Sequence, residues 1–482
     1  GDRAKDDGSE HGFSFLTGAQ GDKGSVTFGI EMDKRDAVFD KDREFTKARY
    51  SDLDGDGYIT GYAETEGISF YATSLINPNY DPAIPYSESN PDSWYVNPGN
   101  NCVDDGAFQG PMKSDLVFGP DTGFYCGYAY ANVSANRASM ERINSFVNAN
   151  YNVNDDVEIY VDAMMSNNES FGRYAPPAAP GTMLASNPKN PFGQNVSGYF
   201  RWTDIGTRDN IVNDTLIDVN VGMRADLNDD LSFEAYYTFS DYRSTSIGKY
   251  YLSYGGFAEN VLYSVSDLDT YNANLKATTL NDDRQNMQKL FAGMQWNMFE
   301  MAGGTASSYF AVETFDVTYQ ADVDAQSEAG LVGGSAGNSA QGNRSVKAVS
   351  AEAILPVTDY LEIDLAVRYD DYDDFGSEVS PRVGATFTMV DNLVLKASYG
   401  QGFRAPDMSD LYGATSFSAE SATDYYGCQL DGVAESDCPD RQFDTYIGSN
   451  PDLGAETSES MSVGAQYTYD DNWVGKINYV VL

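Results

Sequence analysis

The sequence predicts an all-β protein, an antiparallel β-barrel that crosses a membrane. Three observations carry this. Apolar and polar residues alternate with a period of two in segment after segment, which is the pattern of strands with one dry and one wet face. Tight links rich in Asn and Asp alternate with links of roughly 12 to 110 residues, as in barrels with short periplasmic turns and long extracellular loops. No run of 18 apolar residues exists, so no helix can span a bilayer, whereas a tilted strand needs only about ten residues.

The alternation is clearest from Glu352 to Leu411. Leu361, Ile363, Leu365, Val367 and Tyr369 take turns with Glu362, Asp364, Ala366, Arg368 and Asp370. It recurs at Val383, Ala385, Phe387 and Met389, and at Leu393, Leu395, Ala397 and Tyr399. The links Pro356–Asp359 and Val390–Asn392 are tight, and the link from Asp370 to Pro381 is longer.

Taken in order, residues 1–12 are polar and read as a connecting segment, with barrel expected from 13 to 482. Phe13 and Phe15 begin a strand, Gly21–Gly24 turns the chain, and Val26, Phe28, Ile30 and Met32 return. Residues 33–136 hold no sustained period and are expected as a loop. Ile143–Tyr151 and Val157–Ala163 form the next pair, followed by an expected loop at 164–215. Ile217, Val219, Val221, Met223 and Ala225 then pair with Leu231, Phe233, Ala235, Tyr237 and Phe239 across Asn228–Asp230. After an expected loop at 241–288 come Leu290, Ala292, Met294, Trp296 and Met298, a Gly303–Gly304 turn, and Phe310, Val312 and Thr314. Residues 316–345 and 400–460 are the remaining expected loops. Met461–Tyr467 and Trp473–Tyr479 close the list, for about fourteen strands. No fixed repeat length is visible, which excludes a propeller or solenoid.

Composition narrows function. The chain has 482 residues, 73 acidic and 30 basic, for a net charge of -43. Such a surface repels phosphates, so a nucleic-acid partner is excluded. The 35 tyrosines suit sites that are dry at one end and wet at the other. The one histidine, His11, sits in a polar run and reads as a surface residue. Ser-His-Asp catalysis and multi-His metal sites both need imidazole at defined places. The chain is therefore not expected to be an enzyme. Cys102, Cys126, Cys428 and Cys438 lie in polar, Gly/Asp-rich stretches and point to disulfides in an oxidising compartment. Three pairings are open, the local one being Cys102–Cys126 with Cys428–Cys438.

Several motifs resemble a known family. Ser380–Phe387, the Asp391–Leu393 turn and Ser398–Tyr412 are similar to outer-membrane TonB-dependent receptors, above all at Gly402, Phe403, Arg404, Ala405 and Pro406. Asn450, Pro451 and Leu453, with Glu456 following, resemble that family's segment leading into the next strand. The resemblance implies a plug domain inside a barrel of roughly 22 strands, and a Gram-negative outer-membrane location. It implies a TonB box that contacts the TonB–ExbB–ExbD complex, and active import of a scarce nutrient: a ferric siderophore or other iron chelate, a carbohydrate or cobalamin. By that pattern the plug, the TonB box and the last strands are missing from this chain.

Three further groups of residues are candidate sites. Asp52, Asp54 and Asp56, with the Tyr58 carbonyl and Glu64, resemble a calcium loop in which alternate carboxylates converge on one hard cation. The acidic end residue is one position late and no helices flank the loop, so an Asp/Gly turn cluster is the alternative to a structural Ca²⁺; no other cofactor is expected. Arg404 either faces the lumen toward plug or ligand, or fixes the loop exit with Pro406; the second reading is favoured. Tyr71, Tyr80, Tyr86, Trp94, Tyr95, Tyr425 and Tyr426 give the loops aromatic faces that suit polar solutes, or that order the loops themselves. A passive porin and a secreted Ca²⁺-dependent adhesin are the alternative functions.

Overall fold

The computed structural model describes residues 7–47, 74–79, 95–96, 111–113, 124–126, 128–186, 190–256 and 274–481, apart from 334, 336, 391, 431, 433, 439, 471 and 472. One antiparallel sheet dominates. Its strands are β1 (Glu10–Gly21), β2 (Gly24–Arg35), β3 (Ser139–Asn152), β4 (Val157–Tyr174), β5 (Arg208–Asn228), β6 (Leu231–Ser253) and β7 (Lys276–Met301). They continue as β8 (Gly304–Val323), β9 (Ala340–Thr358), β10 (Leu361–Tyr372), β11 (Gly376–Val390), β12 (Leu393–Arg404), β13 (Glu456–Asp470) and β14 (Trp473–Val481). Each pairs with the next in chain order, and a fifteenth short strand, Val332–Gly333, pairs with the end of β6. This is an up-and-down transmembrane barrel sheet.

The register shows why these residues form it. Met223, Ala235, Ala292, Val312, Val349, Tyr369 and Val379 lie opposite one another in one row across β5 to β11. One residue along, Arg224, Glu234, Gly293, Ala311, Ser350, Arg368 and Ser380 form the adjoining row. Side chains in neighbouring rows point to opposite faces, so a slip of one residue would exchange the two sets. The apolar row is exposed: Val312 at 55% and Val349 at 51%. In water that would be an unstable surface; against hydrocarbon it is the stable one.

The inner row carries two close fits. Gly222 lies opposite Tyr160, and a Cβ there would come within 2.3 Å of the ring. At Gly293 a Cβ would meet the Tyr309 hydroxyl at 2.1 Å. Both glycines give a tyrosine ring room to lie flat on the sheet, which covers backbone that a glycine leaves bare.

The strands outrun the expected length of about ten residues; β6 has 23 residues and β7 has 26. The expected loops at 164–215 and 241–288 therefore shrink to 175–207 and 254–275. The links expected at 33–136, 316–345 and 400–460 become 36–138, 324–339 and 405–455. The link expected from Asp370 to Pro381 is only Asp373–Phe375, closed by Gly376 at φ 115°. The cause is solvent. Beyond the apolar belt both faces meet water, so alternation stops while ladder hydrogen bonds continue. Polar pairs replace apolar ones there: Asn168 donates to Asp214 at 3.3 Å, and Ser244 donates to the same carboxylate at 2.7 Å. Above the belt, Arg243 and Arg284 share Asp282. Hydrogen bonding, first from Arg243, holds that carboxyl down to about 2.

Over the long-link end lies a smaller four-stranded sheet of Ala178–Met183, Val196–Arg201, Ser74–Ile76 and Tyr95–Val96. Leu75, Met183 and Val196 form its core. Arg201 stacks on the Tyr128 ring at 4.7 Å and donates to the Pro176 carbonyl.

Candidate lumenal site and loop junction

The inner face of the sheet carries the chemistry. Arg368 projects from β10 between outward-facing Val367 and Tyr369. Its guanidinium donates to Asp370 at 2.7 and 3.0 Å and also to Glu313 of β8. Lys289 of β7 reaches Glu313 at 2.7 Å and lies near the Tyr236 and Phe291 rings, which stack 4.6 Å apart. Asp370 and Glu313 are nearly inaccessible, with side chains 3% and 9% exposed. Two cations balance two carboxylates, so this cluster is charged in detail and neutral in sum.

Nearer the tight turns, Arg224 bridges Glu158 at 3.2 Å and Glu234 at 2.9 Å and lies over the Tyr160 ring. Tyr160 donates to Glu234. Beside them is a cavity of about 430 Å³, whose lining includes Asp155, Asp226, Gln295 and Tyr309. Here the carboxylates of Glu158, Glu234, Asp155 and Asp226 outnumber the one Arg224 guanidinium, so this patch is acidic.

At the other end the motif halves meet. Arg404 lies opposite Glu456 in the β12–β13 ladder, and Gly402 opposite Ser458. The Arg404 guanidinium contacts Glu456 at 3.3 Å and Asp407 at 2.7 Å; the arginine side chain is 60% exposed. Asp407 raises its pKa most, then Glu456. Arg404 thus ties the end of β12 to the start of β13 and to its own exit loop. Asn450 donates its amide to the Asp410 carbonyl at 2.8 Å and caps the turn through Asp452. The Leu453 amide closes the same turn on the Asn450 carbonyl.

The buried arginine of this junction is Arg344 on β9, a residue the sequence did not single out. Its Nε donates to Asp374 at 2.7 Å, and its terminal nitrogen donates to the Pro406 carbonyl at 2.9 Å. Phe403 meets Tyr372 edge-on, with ring centroids 6.0 Å apart. A lone Arg in a Gly/Ser/Gln stretch gives no local signal; only the long-range fold brings it to Pro406.

Cys428 and Cys438 are bonded to each other. They pin the short helix Tyr425–Leu430 inside the 405–455 loop, beside a hairpin of Ser416–Thr423 and Asp440–Ile447. Tyr425 and Tyr426 on that helix are exposed. The calcium-like stretch from Asp52 to Glu64, with Asp54, Asp56 and Tyr58, lies outside the described residues. So do Tyr71, Tyr80, Tyr86, Trp94, Cys102 and the side chains of Tyr95 and Cys126. Among the described residues no group of three or more His, Cys, Asp or Glu side chains is placed to hold a metal ion.

Comparison with known proteins adds the family. Residues 150–479 match the model of the TonB dependent receptor-like β-barrel. The chain is 29% identical over 155 residues to the ferric enterobactin receptor PirA of Pseudomonas aeruginosa, which is 30% of this chain and 18% of that protein. It is 30% identical over 139 residues to the probable TonB-dependent siderophore receptor PirA of Acinetobacter baumannii, or 27% of this chain and 16% of that protein. Among solved structures, the ferric enterobactin receptor PfeA of Pseudomonas aeruginosa overlays 98% of the chain with a TM-score of 0.52 at 12% identity. The chain spans 50% of that receptor's length. The match over more than half of its length, on a sheet with a lipid-facing belt and a charged inner wall, places this chain in the TonB-dependent receptor family of outer-membrane β-barrels.

Proposed function

We propose that this chain is barrel wall from a receptor that imports a ferric siderophore across a Gram-negative outer membrane, driven by the TonB–ExbB–ExbD complex. The observation that supports this most is the junction at Arg404 and Glu456, where the two motif segments meet at the mouth of the lumen. That junction ties the loop carrying exposed Tyr425 and Tyr426 to the wall through which solute passes. The siderophore class comes from the names of the two curated relatives. The reading assigns no chemical step to the chain: loops capture ligand, and energy from outside the barrel releases it.

The test is uptake of a radiolabelled ferric catecholate by cells producing the complete receptor, with and without TonB. Uptake that needs TonB and is competed by unlabelled ferric catecholate is expected. Uptake that persists without TonB would make the protein a porin. TonB-dependent uptake of an oligosaccharide or cobalamin instead would keep the receptor and overturn the siderophore.

A further inference from the structure

The loop after β12 does not stand away from the barrel. It turns inward. β12 is separated from β9 by β10 and β11, yet residues 406–414 reach back past both strands to β9. Gly342 and Arg344 lie on the inner face of β9, since Val349 and Lys347 share the outward parity. A Cβ at Gly342 would come within 2.6 Å of the Tyr412 ring and 2.9 Å of the Met408 methyl. The helix Met408–Tyr412 is therefore seated on the inner surface of the sheet, with Leu411 buried. Backbone bonds fasten its far end: Gly413 bridges Ala340, and the Ala414 amide donates to the Ser339 carbonyl at 2.6 Å.

At the near end the exposed Arg404–Asp407 pair holds the outside of the loop, and a single buried side chain, Arg344, fastens it to the inner wall. Arg344 is 10% exposed and its partner Asp374 is 4% exposed. The guanidinium lies 5.5 Å from the Tyr372 and Phe375 ring centroids, so its charge is lodged among aromatics. Its fork spans three segments: β9, the Asp373–Phe375 turn, and Pro406 of the loop. Tyr412 returns to Asp374 at 3.4 Å. The other Asp374 oxygen is buried without a partner, so that carboxylate depends on Arg344 for compensation. The β11–β12 ladder ends at Arg382–Gly400, next to Pro381, which has no N–H to donate, and β12 beyond Gly400 pairs only with β13.

We propose that Arg344 is a positioning residue that pins residues 406–414 as a fixed strap across the inner wall, narrowing the lumen at its outer mouth. The strap acts as a permanent constriction and not as a lid. The inference rests on the reading above that solute passes through this lumen. Arginine is required because one planar fork must pair a carboxylate, reach a carbonyl and stack on rings together, which a lysine ammonium cannot do.

The test uses the complete receptor in folded form. Amide hydrogen exchange at Leu411, Gly413 and Ala414 is compared between wild type and Arg344→Met. Loss of protection on the order of a hundredfold is expected at these amides, because a buried carboxylate loses its cation. Amides of β10 and β11 in the belt should not change. Arg344→Lys should recover only part of the lost protection at the same amides. Unchanged exchange at 411–414 would overturn the pin. A second variant, Ser339→Cys with Ala414→Cys, locks the strap across the Ala414–Ser339 backbone bond, because the roughly 5.5 Å Cα spacing of such a hydrogen-bonded pair is within reach of a disulfide. The locked receptor should import as wild type does. Import abolished by the lock and restored by reduction would make the segment a moving lid and overturn the proposal. If Arg344→Met prevents folding, the locked receptor carries the test alone. Wild-type uptake that ignores TonB would defeat the import reading and leave the exchange result standing.

Discussion

Replacing Arg368 by Met should be among the costliest single changes on the inner wall, and its size follows from the contacts. Glu313 keeps Lys289 at 2.7 Å, so it is not stranded. Asp370 is left without its cation, because its contacts at 2.7 and 3.0 Å all come from Arg368. With 3% exposure it cannot turn to water. Breaking a buried pair from one side costs about 3–5 kcal/mol. Protonation sets a ceiling: neutralising an ordinary carboxyl at pH 7 costs about 4 kcal/mol. The expected loss is thus about 3–4 kcal/mol. Asp370→Leu should cost less, about 1 kcal/mol, since Arg368 retains Glu313 and some solvent. The double variant should sit near Asp370→Leu, giving a coupling of about 3–4 kcal/mol. The assay is urea unfolding of the receptor in lipid vesicles, read by tryptophan fluorescence and by the gel mobility of the folded barrel. A loss below about 1 kcal/mol for Arg368→Met, or strictly additive losses, would refute the claim that this pair is buried and interdependent.

Three further outcomes follow from the same geometry. Val312→Arg places a charge on the lipid face at mid-belt and should destabilise the barrel by about 2–4 kcal/mol in vesicles, measured by the same unfolding titration. Gly222→Ala puts a methyl within 2.3 Å of the Tyr160 ring, which is held by Glu234 and Arg224; a loss of about 1–3 kcal/mol is expected, and Tyr160→Ala should relieve part of it. Replacing Cys428 and Cys438 by Ser releases a short closed loop worth about 3 kcal/mol of local order; protease should then cut within 424–440 faster, while barrel unfolding stays unchanged.

The belt was legible in the sequence because the bilayer imposes it. Where lipid touches one face and water the other, as at Leu365, Val367 and Tyr369 against Ala366, Arg368 and Asp370, the side chains must alternate. The strand ends were not legible, because Ser166–Ser170 and the residues around Asp241 and Arg284 meet water on both sides and lose the period. The ladder still continues, since backbone pairing does not depend on side-chain type. The three-residue turn after Tyr372 was hidden by Asp370, Asp371, Asp373 and Asp374, which look like loop, although Asp370 pairs with Arg368 and Asp374 with Arg344. Arg404 and Glu456 were visible as motif residues, but their contact was not, because 52 residues separate them. Arg344 was missed for the same reason: its partners Asp374 and Pro406 lie 30 and 62 residues away.

The central claim is that one face of this sheet meets lipid and the other an aqueous lumen. Single cysteines at Ile363, Leu365, Val367 and Tyr369, and at Asp364, Ala366, Arg368 and Asp370, test it directly in the complete receptor in native membranes. The odd positions should react with a lipid-soluble maleimide and resist a charged one, and the even positions should do the reverse wherever the lumen is open to the reagent. Equal labelling of both sets by the charged reagent, or protection of the odd set from both reagents, would contradict the account and place those apolar side chains against protein instead of lipid.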